Sequence, residues 1–196
     1  MTHPMSVLSP CRASHFPEGL SMGFFTKTEM GPIGGPLPAL RHETIEAVLD
    51  GWGASYATDG DGDLGGFWDG HLFYFLRDGR EGTVLTVRGR WNRTVGPEEH
   101  DRLVGLINDW HAEKIWPKAY VRAEGEYLGV YADLSTTLGA GATQAQVDDL
   151  MSCALATSLQ LFEHLDEQYP EAAAAAAAAM AEQEAAAGDP VDGEPG

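Results

Sequence analysis

Phe67-Trp68-Asp69-Gly70-His71-Leu72-Phe73-Tyr74-Phe75-Leu76-Arg77-Asp78-Gly79-Arg80-Glu81-Gly82-Thr83-Val84-Leu85-Thr86-Val87-Arg88-Gly89-Arg90-Trp91 is the stretch that decides the fold. Aromatic and β-branched residues suit a half-buried pleated surface, so Phe67 to Leu76 reads as a strand, broken or bulged near Gly70. Arg77 to Gly82 reads as a turn, because Asp-Gly tolerates the left-handed backbone that tight hairpins need. Thr83 to Trp91 returns as a second strand. Leu85, Val87 and Trp91 fall on one side of it and Thr86, Arg88 and Arg90 on the other. That alternation implies one buried and one wet face.

Working outward, Ile45, Val48, Leu49 and Trp52 recur at helical spacing, and Gly51 and Gly53 end that helix. Ser55-Tyr56-Ala57 reads as a short strand running into Asp59-Gly60-Asp61-Gly62-Asp63. On the other side, Gly96-Pro97-Glu98-Glu99 opens a second helix: proline suits its first turn and carboxylates suit the positive end of its dipole. Leu103, Leu106, Ile107 and Trp110 form its apolar stripe, and Pro117 bars its continuation past Trp116. Ala119–Ala123 and Tyr127–Leu134 alternate as two strands about Glu124-Gly125-Glu126. Thr143-x-x-Gln146 is a capping box for a long last helix whose stripe includes Val147, Met151, Ala154, Leu155, Phe162 and Leu165. The predicted order is α-β-β-β-α-β-β-α, an α+β chain.

Three segments follow. Residues 1–40 read as a flexible segment rich in Pro, Gly, Ser and Met, without sustained periodicity. Residues 41–170 hold the folded domain, ending at Tyr169-Pro170. Residues 171–196 read as an alanine-rich acidic tail, helical and then disordered, since alanine favours helix but buries little area. No apolar run in the N-terminal segment spans a membrane, and the N-terminus lacks the basic start and apolar stretch of a signal peptide. The expected location is cytoplasmic, with Met22 or Met30 as alternative starts to Met1. Cys11 and Cys153 sit in unlike settings and make no disulfide framework.

The chain carries a formal net charge of −18. Up to Arg122 there are 16 acidic and 12 basic groups; beyond it there are 14 acidic groups and no Lys or Arg. Such a chain repels phosphate backbones, so nucleic acid is not an expected partner. Arg77, Arg80, Arg88, Arg90 and Arg93 are the candidates for a local basic patch, with neighbouring acids as the plainer account of them.

Candidate sites are sparse. Asp59, Asp61 and Asp63 match the first half of an EF-hand calcium loop, where alternate oxygens turn inward around a hard cation. Leu64 stands where the loop needs glycine and Gly70 where it needs a bidentate Glu. A polar loop capping its own amides is the competing account. The histidines do not cluster, although His100 and His111 fall on about one helix face. No nucleophile elbow or phosphate loop occurs. The chain therefore reads as no enzyme and needs no cofactor, calcium at the Asp loop being the one exception. Trp68, Phe73 and Phe75 are the residues expected to touch a protein partner.

Three pieces together carry a family resemblance: the Asp59–Asp63 loop; Asn108-Asp109-Trp110-His111 running into Ile115-Trp116-Pro117-Lys118-Ala119-Tyr120-Val121; and the long last helix with Leu161-Phe162. Over Arg41 to Pro170 the chain resembles the YbjN family, the putative bacterial sensory transduction regulators. A typical member has Asn where His111 stands. The resemblance implies a fold similar to type III secretion chaperones, a twisted antiparallel sheet flanked by helices, often as a homodimer. It also implies a non-catalytic regulator or chaperone-like module that grips an extended peptide or an amphipathic helix of a partner. The alternative is a divalent-ion or small-ligand sensor using the Asp59–Asp63 loop.

Overall fold

The computed structural model describes residues 35–187. Expectations placed on residues 1–34 and 188–196, among them those for Cys11, Met22 and Met30, lie outside the described residues. The elements run α1 (His42–Gly51), β1 (Tyr56–Thr58), β2 (Leu64–Trp68), β3 (His71–Asp78), β4 (Val84–Val95), a short 3-10 turn (Pro97–Glu99), α2 (His100–Glu113), β5 (Lys118–Glu124), β6 (Tyr127–Thr137), α3 (Gln144–Gln168) and α4 (Pro170–Ala187). The six strands form one antiparallel sheet in the order β1-β2-β3-β4-β6-β5.

The α+β class stands, and the element order gains a strand. Phe67 to Leu76 is not one bulged strand but the end of β2, a turn and most of β3. Asp69 and Gly70 both have positive φ, 49° and 75°, and together make the two-residue turn whose twist matches paired strands. The stretch thus contains two Asp-Gly turns, and the shorter one is hidden inside an aromatic run.

Register explains burial. Pairing sets Leu64 beside Phe75, Phe73 beside Gly89, Val87 beside Leu134, and Trp91 beside Val130. Directly paired residues share a face. This face therefore collects Leu64, Phe73, Phe75, Leu85, Val87, Trp91, Val130 and Ala132, all buried. Helix α3 lies against it through Val147, Met151, Ala154, Leu155, Leu161, Phe162 and Leu165. Gly89 is obligatory here: a Cβ would come within 2.6 Å of the Phe73 ring and 3.0 Å of Phe162.

Helix α1 adds Ile45, Val48 and Leu49 to the core, and Trp52 Nε1 donates to Asp148 of α3 at 2.9 Å. The capping box is present: Thr143 Oγ1 accepts from the Gln146 amide, and Gln146 Oε1 accepts from the Thr143 amide. Thr143→Ala should cost about 1 kcal/mol in urea unfolding, with the secondary structure unchanged by circular dichroism. A loss within error would remove the cap from the account of α3.

Two boundaries differ from the sequence reading. Leu40 is in the core and the Ala142 amide donates to the Pro38 carbonyl, so the ordered chain begins before Arg41. Pro170 does not end the fold either. Its fixed φ suits a helix's first turn as well as it blocks a preceding one. Helix α4 starts there, is largely exposed, packs Ala172 on the core, and brings Met180 to Gly70 of the β2–β3 turn.

Candidate functional site

The same parity that fills the core lays a second row of side chains on the opposite face. Phe67, Leu72 and Tyr74 come from β2 and β3. Arg88 and Arg90 come from β4, Tyr131 and Asp133 from β6, and Lys118, Tyr120 and Arg122 from β5. Most are exposed or half-buried; Asp133 is buried beneath its partners. Phe67 is 64% exposed. Beside it, Ala57, Gly65, Phe67, Leu72 and Tyr74 line a shallow, mainly apolar groove of about 460 Å³.

The other half of this face is an ordered ionic and aromatic lattice. Asp133 accepts two bonds from Arg88, at 2.9 and 3.0 Å, and one from the Tyr120 hydroxyl at 3.4 Å. Lys118 Nζ stands 3.8 Å from the same carboxylate. Glu124 accepts from Arg90 at 2.5 Å and from the Tyr131 hydroxyl. The Tyr120 and Tyr131 rings stack at 5.5 Å with 14° between their planes. Lys118 and Arg122 lie over those rings, 4.9 and 5.7 Å from the centroids.

Electrostatics holds this lattice in one protonation pattern. The hydrogen bond from Arg90, then that from Tyr131, keeps the Glu124 carboxyl below the usual range. Burial, then the Asp133 charge, raises the Tyr120 hydroxyl; burial, then the bond to Glu124, raises Tyr131. Glu124 therefore accepts, and the two tyrosines donate, throughout the neutral range. What results is a stiff polar surface, not a poised acid–base pair.

The residues expected to carry function fare differently. Phe73 and Phe75 are fully buried, and Trp68 packs edge-on against both at 5.8 and 5.5 Å. These two phenylalanines are core, because Gly66 and Leu64 oppose them on the covered face. They offer no contact surface, whereas their neighbours Leu72 and Tyr74 do. In the Asp loop, Asp59 Oδ1 accepts from the amides of Asp61 and Asp63 at 2.9 and 3.0 Å. Burial, then the charges of Asp59 and Asp61, pushes the Asp63 carboxyl up. Among the described residues no three His, Cys, Asp or Glu side chains converge as a metal would require. The five arginines do not form one patch: Arg88 and Arg90 lie on the open face, Arg93 pairs with Asp166 of α3, Arg77 lies on the core side, and Arg80 is exposed in the β3–β4 turn. His100 meets Asp101, while His111 accepts from the Ala119 amide at 3.0 Å.

This order of strands and helices, with its polar sheet face, can be set against known proteins. The family model for YbjN, putative bacterial sensory transduction regulator, matches residues 41–167. The chain belongs to the YbjN family. A solved structure described as YbjN, a putative transcription regulator from E. coli, shares the fold with a TM-score of 0.59. It is 13% identical, and the match covers 68% of this chain and 96% of that one. Comparison with curated proteins finds no match.

Within this YbjN chain one further polar cluster ties the sheet to α3. Asp166 accepts from Trp91 Nε1 at 2.7 Å and from Arg93 at 3.1 and 2.7 Å. Buried His71 accepts from the Asn92 amide at its Nδ1, 3.1 Å away. Register shifts between Trp91 and Val95, and this bulge accompanies the turn of Arg93 toward α3. No helix among the described residues is long and apolar enough to cross a membrane.

The residues of the open-face row are not the ones the sequence reading expected to touch a partner. Their signal was present in the sequence: Tyr120 and Arg122, like Tyr131 and Asp133, alternate with apolar residues. Only pairing shows that these alternations belong to one face.

Proposed function

We propose that this YbjN chain is a non-catalytic regulatory, chaperone-like module of the cytoplasm that binds a protein segment on the open face of its sheet. The observation that carries this reading is the preorganised row on that face, with an apolar groove at Phe67, Leu72 and Tyr74 beside the tyrosine and arginine lattice. Tyrosine and arginine give large contact area with few rotamers to freeze, and they dominate binding energy in many interfaces. An apolar groove beside a polar lattice suits a partner segment with one apolar and one polar edge. The acidic balance supports a protein rather than a nucleic-acid partner. In this reading the module needs no cofactor.

A photo-crosslinking amino acid placed at Phe67 or at Tyr74 tests the reading in a bacterial host. Adducts of the same mass should form at both positions, and not at Gln160 on the exposed side of α3. With the crosslinker at Tyr74, Phe67→Asp should reduce adduct yield several-fold while leaving the thermal midpoint within a few degrees, because Phe67 is 64% exposed. A face that gives no adduct at either position would end the proposal.

A further inference from the structure

The sheet has an unusual end. Strand β5 pairs with β6 on one side and closes the order of strands on the other. The Ala119 amide donates to His111 of α2, so it points away from β6. Backbone groups in a strand alternate in direction, so the amides and carbonyls of Val121 and Ala123 point outward as well. Among the described residues those two positions have no strand beside them. Helix α2 flanks the same edge. Between helix and strand lies a groove of about 270 Å³, with Val104, Ile107, Asn108 and His111 on one wall and Ala119 and Val121 on the other.

Unpaired strand edges are normally blunted, because they recruit another strand. Here His111 blunts only the first outward amide. Apolar surface is concentrated around it: Val104 is 44% exposed, Trp116 48% and Ile115 87%. The charge is also local. Both lysines of the described residues, Lys114 and Lys118, and the chain's last basic residue, Arg122, flank this edge. Glu124 and Asp133 nearby are engaged by Arg90 and Arg88. Asp109 and Glu113 of α2 are not among the residues that line the groove. Lys118 shares Asp133 with Arg88, at 3.8 Å, and screening at physiological salt limits the reach of distant charges to about 8 Å, so Lys118 and Arg122 set the charge met on their own side of the edge.

We propose that the β5 edge and the α2 groove form a strand-addition site for an extended partner segment in which apolar and carboxylate residues alternate. The segment would pair with Val121 and Ala123. Its apolar side chains would enter the groove against Val104 and Ile107, and its carboxylates would emerge beside Lys118 and Arg122. A second copy of the chain fits less well. Two β5 strands paired about Val121 would need the Ala119 amide that His111 already holds. The inference rests on the reading of the chain as a partner-binding module, and it uses the edge of the sheet, sharing only Lys118 and Arg122 with the open face.

The test uses the purified full chain and a fluorescein-labelled peptide, acetyl-Glu-Val-Glu-Val-Glu-Val-Glu-amide, read by fluorescence anisotropy. Saturable binding should appear, at least tenfold tighter than for the Lys-for-Glu peptide. It should vanish when alternate peptide amides are N-methylated, because those donors make the strand. Arg122→Glu and Val104→Asp should each weaken it at least tenfold, whereas Gln160→Ala, on the exposed side of α3, should change it less than twofold. Absence of saturable binding, equal binding of both peptides, or indifference to both substitutions overturns the site. A chain dimer that dissociates on Arg122→Glu gives the edge to a second copy and overturns it too. If peptide binding fails while crosslinks at Phe67 and Tyr74 persist, strand addition falls and the wider function stands.

Discussion

Asp166→Ala should destabilise the chain by about 3 kcal/mol, a loss on the scale of removing one partner of a buried ion pair. The carboxylate holds three donors, the Trp91 indole and two nitrogens of Arg93. The Arg93 side chain is 10% exposed and that of Asp166 24%, which places the effect at the lower end of the range for fully buried pairs. Removal leaves a guanidinium in poor solvent contact and an indole N–H without its acceptor. Urea unfolding measures the loss. Adding Arg93→Met should return much of it, because the stranded charge then goes too. A single-mutant loss under about 1 kcal/mol would show that the cluster is surface decoration and not the clamp between β4 and α3.

Acid should unfold this protein through the same cluster. Burial, and next the Arg93 guanidinium, depress His71 from its ordinary 6.5 to about 4; Asp166 and Asp69 oppose the shift. The folded state therefore keeps His71 neutral where the unfolded chain already takes up a proton. Between pH 6.5 and about 4 the unfolded state binds more protons, so stability falls as pH falls. About a unit above the unfolded value of 6.5 the contribution is complete and flat. The full gap corresponds to about 3 kcal/mol, of which about 2 kcal/mol is lost by pH 5, above most carboxylate titrations. Denaturation curves at pH 7.5, 6 and 5 should show this slope, and His71→Phe should flatten it. The same slope in the variant would assign it to other groups.

Much of the fold was legible because local rules and tertiary structure agree. The capping box at Thr143, the helix break before Pro117 and the alternation of β4 all depend on near neighbours in the chain. The misreadings have a common cause. Phe67 and Trp68 before Asp69-Gly70, and Leu72 to Leu76 after it, are aromatic or aliphatic on both faces, so hydrophobicity could not show that the chain reverses there. Nor could it show which alternate set is covered. Phe73 and Phe75 looked as available as Leu72 and Tyr74. The Asp loop was read two ways, as a cation loop and as a polar loop capping its own amides, and in the fold Asp59 accepts from the amides of Asp61 and Asp63.

The sequence by itself determined the element types, their approximate order and the family marks, since propensity, periodicity and capping act over a few residues. It also determined the charge asymmetry that argues against a nucleic-acid partner. Only the tertiary structure decided which face of the sheet is buried, which arginine meets which carboxylate, and where a strand edge remains unpaired. Those are consequences of register, and register joins residues tens of positions apart. Arg88 meets Asp133 across 45 positions and Trp91 meets Asp166 across 75. Side-chain direction in a strand reverses at every residue, so one step of register exchanges core for surface. Pairing put Phe73 and Phe75 on the covered face, and turned Phe67, Tyr74, Tyr120 and Tyr131 toward the face on which the proposed function rests.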